Sequence, residues 1–324
     1  MLEELMQERN ILSFYKAMVS LIQVDLKISD VFLEQAFTAM MMGHEFGDSI
    51  LCQREAYEIL LLWNLSYNNY VKHNRDLNYG ADLEDVIYPF GDINGDYYKG
   101  LITSNVLLLR RLMFNCRLAD ELEKGDNNSI AIMLLNKKNS SCNDAFQSVL
   151  KLKEIIRTGW IKRKVKVDYL ESDTTHIMQM VAFASAYFSL FKPNDLNYNR
   201  VMEMILIHEI GEVLAGDIAE GDPLHDNKHA LEARGVRNTF AGLKCGEYFI
   251  NLWEEFESRE TNEAKFVYEL DKFDPIAKAE YLDEELGRTD LLPDFYEYEQ
   301  KRGTFNNGKL KKVFKCFEET LNNR

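Results

Sequence analysis

Apolar residues recur at three- and four-residue intervals along most of this chain. Between Ile11 and Val71 the pattern runs through Phe14, Met18, Leu21 and Ile22, then Ala56, Ile59, Leu60 and Trp63. That spacing places the apolar side chains on one face of a helix. It breaks near Ser29–Asp30 and across Gly43–Ser49, where small and polar residues interrupt it. The stretch from His73 to Tyr98 is rich in Asn, Asp, Gly and Pro and predicts a long loop. Helical spacing resumes over Leu101–Leu122 and stops at the polar run GDNNS. Asn136–Asn143 (NKKNSSCN) reads as a linker, so the expected division is a helical accessory domain over 1–142 and a second domain over 143–324. In the second, helices are expected at Ala145–Arg157, Asp173–Phe191, Tyr198–Leu214, Lys228–Ser258, Ala264–Leu286 and Asn307–Leu321. Only Lys164–Val167 alternates as a strand would, and it is too short to anchor a sheet. The prediction is an all-α protein.

Composition sharpens this picture. Five prolines in 324 residues leave little to interrupt long helices. Hydrophobic residues at 46 % and charged residues at 28 % are the balance of a globular chain. Acidic residues outnumber basic ones by 53 to 38, a net charge of −15, which repels nucleic-acid polymers and disfavours a role in coating DNA or RNA. A small anion is still a reasonable substrate, because a metal ion and a few bases can reverse the field inside one pocket. The five cysteines are scattered, with no paired spacing, and read as reduced thiols. With no signal-like N-terminus and no run of about 20 apolar residues, the expectation is a cytoplasmic protein with no membrane contact.

Four elements carry residue types suited to a metal site. In ESDTTHIMQM, His176 lies one turn into a helix capped by Ser172 or Asp173. In LIHEIGEVLAGDI, His208 and Glu209 are adjacent and Glu212 lies four residues beyond His208, on the same face of a continuous helix. That helix is apolar all round, so its histidine and two carboxylates need a cation or a hydrogen-bond network. Gly216 ends it, and Asp217 follows in the turn. In EAKFVYELDKFDP, Asp271 precedes Pro275 by four; IIRTGWIKRKVKV holds Arg157 and Trp160. Taken singly, each has a structural reading. HExxE is not the zinc-protease HExxH, His176 suits a core, Asp271 suits a pair with Lys272, and Trp160 suits a core as well as a stacking platform.

The order of the motifs goes further. RTGW, ESDTTH, HEIGEVLAGDI, KHALEA and LWEEFESRETNEAKFVYELD follow one another in a way that resembles the HD-domain phosphohydrolases. The likeness is greatest to the branch of the bacterial 5′-deoxynucleotidase and its eukaryotic relatives, and it covers roughly Ser148–Glu285. It implies an HD-type helical bundle and a single divalent metal ion (Mn, Co, Fe, or Mg or Zn) held by His176, His208, Glu209 and Asp271. Glu209 stands where the family has aspartate, longer by one methylene. The resemblance also implies that Glu212 activates water and passes a proton, that Arg157 and Trp160 orient the phosphate and pack the nucleoside, and that Asp217 holds the sugar hydroxyl. Lys228, His229 and Glu232 match a family helix, and neither His225 nor His229 is a ligand candidate.

The implied activity is hydrolysis of (deoxy)nucleoside 5′-monophosphates to nucleoside and phosphate. The alternatives are hydrolysis of another nucleotide or a phosphodiester, or an inactive nucleotide-binding regulator. The implied partner is a small nucleotide, and a homodimer is compatible with the sequence. Within 1–142, GHEFGDSI (His44, Glu45, Asp48) echoes HEIGEVL. That echo reads as a chance match or a decayed duplicate.

Overall fold

The computed structural model describes residues 11–46, apart from 14, 17, 21, 24 and 25, and residues 140–322, apart from 220. The loop expected at His73–Tyr98 and the helix expected at Leu101–Leu122 lie outside the described residues. Among the described residues the chain is helical, with no named strand and one isolated bridge between Ile156 and Ser172. No helix among them is long and apolar enough to cross a membrane.

Residues 11–22 are helical wherever described, and α1 follows at Lys27–Phe46. Next come α2 (Ser140–Val149), α3 (Thr158–Lys162) and α4 (Asp173–Phe191). The bounds of α4 are those predicted, because Ser172 accepts a hydrogen bond from the Thr175 amide and Lys192 ends the helix in a left-handed turn. The linker expected at Asn136–Asn143 instead runs into α2 from Ser140 onward.

Two expected helices are each split. Tyr198–Leu214 becomes α5 (Tyr198–Ile207), a turn through His208–Gly211, and α6 (Glu212–Ala215). Lys228–Ser258 becomes α7 (Lys228–Phe240) and α8 (Gly246–Ser258), with Gly242 at φ +85° in the break. A left-handed φ at that position suits glycine. The chain ends in α9 (Asn262–Leu286), α10 (Leu291–Arg302) and α11 (Gly308–Asn322). The pattern of apolar residues did not predict α10.

The helix α4 is buried on nearly every side from Asp173 to Phe188, the signature of a central helix. It packs against α1, α5 and α9. One apolar core joins Tyr15, Val19, Phe32 and Phe37 from the N-terminal stretch to Phe146, Met180, Ile205 and Phe273. Residues 11–46 therefore share a core with the motif-bearing helices on the far side of residue 142.

Candidate metal centre

The centre is built where α4, the turn after α5, and α9 meet. His176 sits on the first turn of α4, with its side chain fully buried. Its Nδ1 lies 2.7 Å from Asp274 Oδ2, so the ring donates from Nδ1 and turns Nε2 forward, where a bound cation would take its lone pair. His208 caps the C-terminal end of α5, and its Nδ1 lies 2.7 Å from the carbonyl of Ile205. A carbonyl can only accept, so His208 also keeps the lone pair of Nε2 free.

Both Nε2 atoms are buried without a hydrogen-bond partner, as is Asp271 Oδ1. His176 Nε2 is 3.2 Å from Asp271 Oδ1 and 3.7 Å from Glu209 Oε1, and His208 Nε2 is 3.4 Å from Glu209 Oε1. One ligating atom from each of His176, His208, Glu209 and Asp271 lies within 4.8 Å of all the others. Buried polar atoms are ordinarily satisfied, so orphaned lone pairs converging on one point fit a divalent cation. This donor set, two neutral imidazoles and two carboxylates, suits one chemically.

The turn at His208–Gly211 follows from close helix contact. A Cβ on Gly211 would meet Glu232 Cβ at 2.5 Å, and one on Gly235 would meet the Gly211 carbonyl at 2.6 Å. Only glycines let α6 lie this close to α7. The contact brings Lys228 Nζ within 3.3 Å of Glu212 Oε1 and 3.3 Å of Glu232 Oε1. Glu212 Oε2 stays buried and unpartnered. Burial, reinforced by the charges of Glu209 and Asp173, pushes the Glu212 carboxyl well above its ordinary range. Burial also raises Glu232, to about 7.

Glu209 is the reverse case. Burial acts to raise it, but His208 in its protonated form and Arg157 outweigh burial and hold the carboxyl well below its usual range. Asp271 is likewise lowered against burial, by Lys272, His176 and Arg157. Lys272 Nζ is 2.8 Å from Asp271 Oδ2, so the surface pair read from sequence coexists with a second oxygen facing the histidines. Arg157 donates to Glu209 Oε1 at 2.5 Å and reaches Asp271 Oδ1 at 3.5 Å. Half-buried Asp217 accepts from the amide and hydroxyl of Thr158, beside Arg157.

Trp160 faces the core in this structure. Its side chain is 1 % exposed, packs 4.9 Å from the ring of Phe295 and donates through Nε1 to Glu171 Oε1 at 2.6 Å. Phe295 of α10 and Lys278 of α9 lie against its ring. His225 and His229 are exposed and are not among the converging ligand atoms. His44 pairs with Glu203 at 2.8 Å and stacks on Tyr248, so it takes no part in the centre.

Two contributors escaped the sequence reading. Asp274 stands behind His176, and its only sequence signal was its place three residues after Asp271, on the same face of α9. Asp173 is fully buried with no hydrogen bond to either carboxylate oxygen, though Arg157 Nη1 lies 3.7 Å from Oδ1, and burial and Glu209 raise it well above its ordinary range.

Known proteins carry the same pattern. Residues 149–304 match the HD domain family. The chain is 32 % identical over 194 residues to the 5′-deoxynucleotidase HDDC2 of Xenopus laevis, covering 56 % of this chain and 92 % of that protein. It is 31 % identical over 162 residues to the human HDDC2, covering 49 % and 76 %. The 5′-deoxynucleotidase YGK1 of Saccharomyces cerevisiae is 25 % identical over 202 residues, covering 60 % and 88 %. Sharing their domain over nearly the full length of such relatives, the chain belongs to the HD-domain family, on the branch that includes the 5′-deoxynucleotidases.

Proposed function

We propose that this protein is a metal-dependent 5′-nucleotidase that hydrolyses deoxynucleoside 5′-monophosphates to nucleoside and phosphate. The observation that carries the reading is the pair of histidines whose Nδ1 atoms are engaged from behind while both Nε2 lone pairs face Glu209 and Asp271. The relatives named 5′-deoxynucleotidase support the substrate class.

In this reading His176, His208, Glu209 and Asp271 hold one divalent first-row ion, with Mn²⁺, Co²⁺ and Fe²⁺ the best matches to mixed nitrogen and oxygen donors. The ion supplies Lewis acidity, polarising the phosphoryl group and lowering the pKa of water at the site. Glu212 takes the proton of the attacking water and returns it to the leaving 5′-oxygen, a task suited to a buried carboxyl whose Oε2 has no hydrogen-bond partner. Lys228 orients Glu212 from α7. Arg157 offers a planar fork of donors to the phosphate oxygens. Asp217, its Oδ2 engaged by Thr158, offers Oδ1 to a sugar hydroxyl.

The test is phosphate release from a panel of nucleoside monophosphates, with metal content measured on the same preparation. The reading predicts release that depends on a first-row metal and favours deoxynucleotides. Full-rate hydrolysis by metal-free protein in chelator would overturn it. Nucleotide binding with no turnover under any metal would favour a regulator.

A further inference from the structure

Resting on that metal reading, we propose that the N-terminal segment is part of the centre, with Tyr15 acting as a positioning residue for His176 through Asp274. Tyr15 lies outside the 149–304 match to the HD domain, yet its side chain is 1 % exposed and its hydroxyl donates to Asp274 Oδ1. The other oxygen of Asp274 receives the Nδ1 proton of His176 at 2.7 Å. Asp274 is itself 0 % exposed.

A carboxylate engaged through one oxygen can still rotate about its Cβ–Cγ bond. Engaged through both, by groups from different elements, its plane is set, and so is the imidazole that bonds to it. Outer partners of this kind orient a ligand and tune its basicity. Tyr15 has one hydroxyl proton, and the carboxylate is its stronger acceptor. Gln179 Oε1, one turn beyond His176 on α4, lies 3.1 Å from the same hydroxyl. A buried hydroxyl costs stability unless bonded, and phenylalanine would fill the same volume without that cost.

Three further ties hold the segment against the helices bearing the ligands. Ser29 Oγ lies 2.9 Å from Thr175 Oγ1, and Thr174 donates to Asp30 at 2.5 Å, both at the first turn of α4. Lys16 pairs with Glu280 at 3.0 Å and Glu284 at 2.8 Å on α9. Tyr15 is thus clamped between the helix carrying His176 and the helix carrying Asp271.

The experiment uses the full chain with Tyr15→Phe, Asp274→Ala and the double variant. Affinity for Mn²⁺ and Co²⁺ is read by competition with a chromogenic chelator, and thermal unfolding is read on the metal-free proteins. Asp274→Ala is expected to weaken metal binding about 10–100-fold, the range for outer partners of a ligating histidine, and Tyr15→Phe about 10-fold, its lower end. Because the two act in series, adding Tyr15→Phe to Asp274→Ala should weaken binding no further. A purely packing role for Tyr15 would move unfolding and leave affinity alone. Unchanged affinity in Tyr15→Phe, or losses that add in the double variant, would overturn the proposal. Should Asp274→Ala fail to fold, Tyr15→Phe against the parent decides alone. A parent chain that takes up neither metal would instead overturn the metal reading beneath it.

Discussion

Two buried charged clusters meet on α9 and have opposite character. In one, Glu171 and Lys278 are both 0 % exposed and bonded to each other, and Glu171 also accepts from Trp160 at 2.6 Å. Burial acts to raise the Glu171 carboxyl, but Lys278, His176 and Arg157 bring it below its ordinary value. In the other, His176, His208 and Asp271 turn unpartnered atoms toward one point. Asp271 and Lys278 are seven residues apart on α9, two turns along one face. Burial of charge alone therefore does not mark a functional site. What separates the two is satisfaction: the first closes its own hydrogen bonds and braces the fold, whereas the second is completed only by something that binds.

The most severe way to break this comparison is to remove what completes the second cluster. Stripping the metal, or replacing His208 with alanine, should abolish phosphate release by about 10³-fold or more, since a Lewis acid contributes several kcal/mol. Far-ultraviolet circular dichroism should remain helical, because the Glu171 cluster is untouched. Turnover comparable to the parent in either preparation would show that the converging lone pairs are not a metal site.

Glu212→Gln comes next, with an expected fall in kcat of about 10²–10⁴-fold at unchanged metal content. If metal is lost along with activity, Glu212 belongs among the ligands.

Glu171→Gln tests the first cluster, leaving the Lys278 ammonium buried without its counter-charge. The expected loss is about 3–5 kcal/mol in denaturant unfolding, and Lys278→Met in the same chain should restore much of it. The pH dependence has a defined sign. A lowered carboxyl contributes stability above its unfolded pKa and loses it as pH falls through the folded one. The parent should therefore lose stability in acid faster than Glu171→Gln. An acid limb of equal steepness in both would mean that the pair contributes nothing.

The smallest effect is expected from Glu209→Asp. Shortening the arm by one C–C bond, roughly 1.5 Å, draws the oxygen away from Arg157, to which Glu209 Oε1 now lies at 2.5 Å. Metal affinity should hold or rise, while KM for the nucleotide should rise about 10-fold, the scale of one weakened charge-assisted bond. A large loss of metal would show that the centre has adjusted around the longer side chain.

Local rules read much of the fold directly from the sequence. The limits of α4 were legible because Ser172 is a strong N-cap and the apolar run stops at Phe191. The reach of α9 was legible to within two residues, expected at Ala264–Leu286 and found at Asn262–Leu286. The break at His208 was not, because apolar residues keep helical spacing from Met204 to Leu214 around His208, Glu209 and Glu212. Contact with α7 at Gly211 and Gly235 imposes the turn from outside.

By itself, then, the sequence determined the helical class and the order of motifs whose resemblance to the HD-domain family implies His176, His208, Glu209, Glu212 and Asp271. Both are carried by residue order along the chain. Only tertiary structure decided that Trp160 closes a core, that Asp274 stands behind His176, and that Tyr15 reaches Asp274 across 259 positions. No periodicity encodes such pairs, because a hydrogen bond between helices depends on how they pack, and packing is settled by the apolar core as a whole.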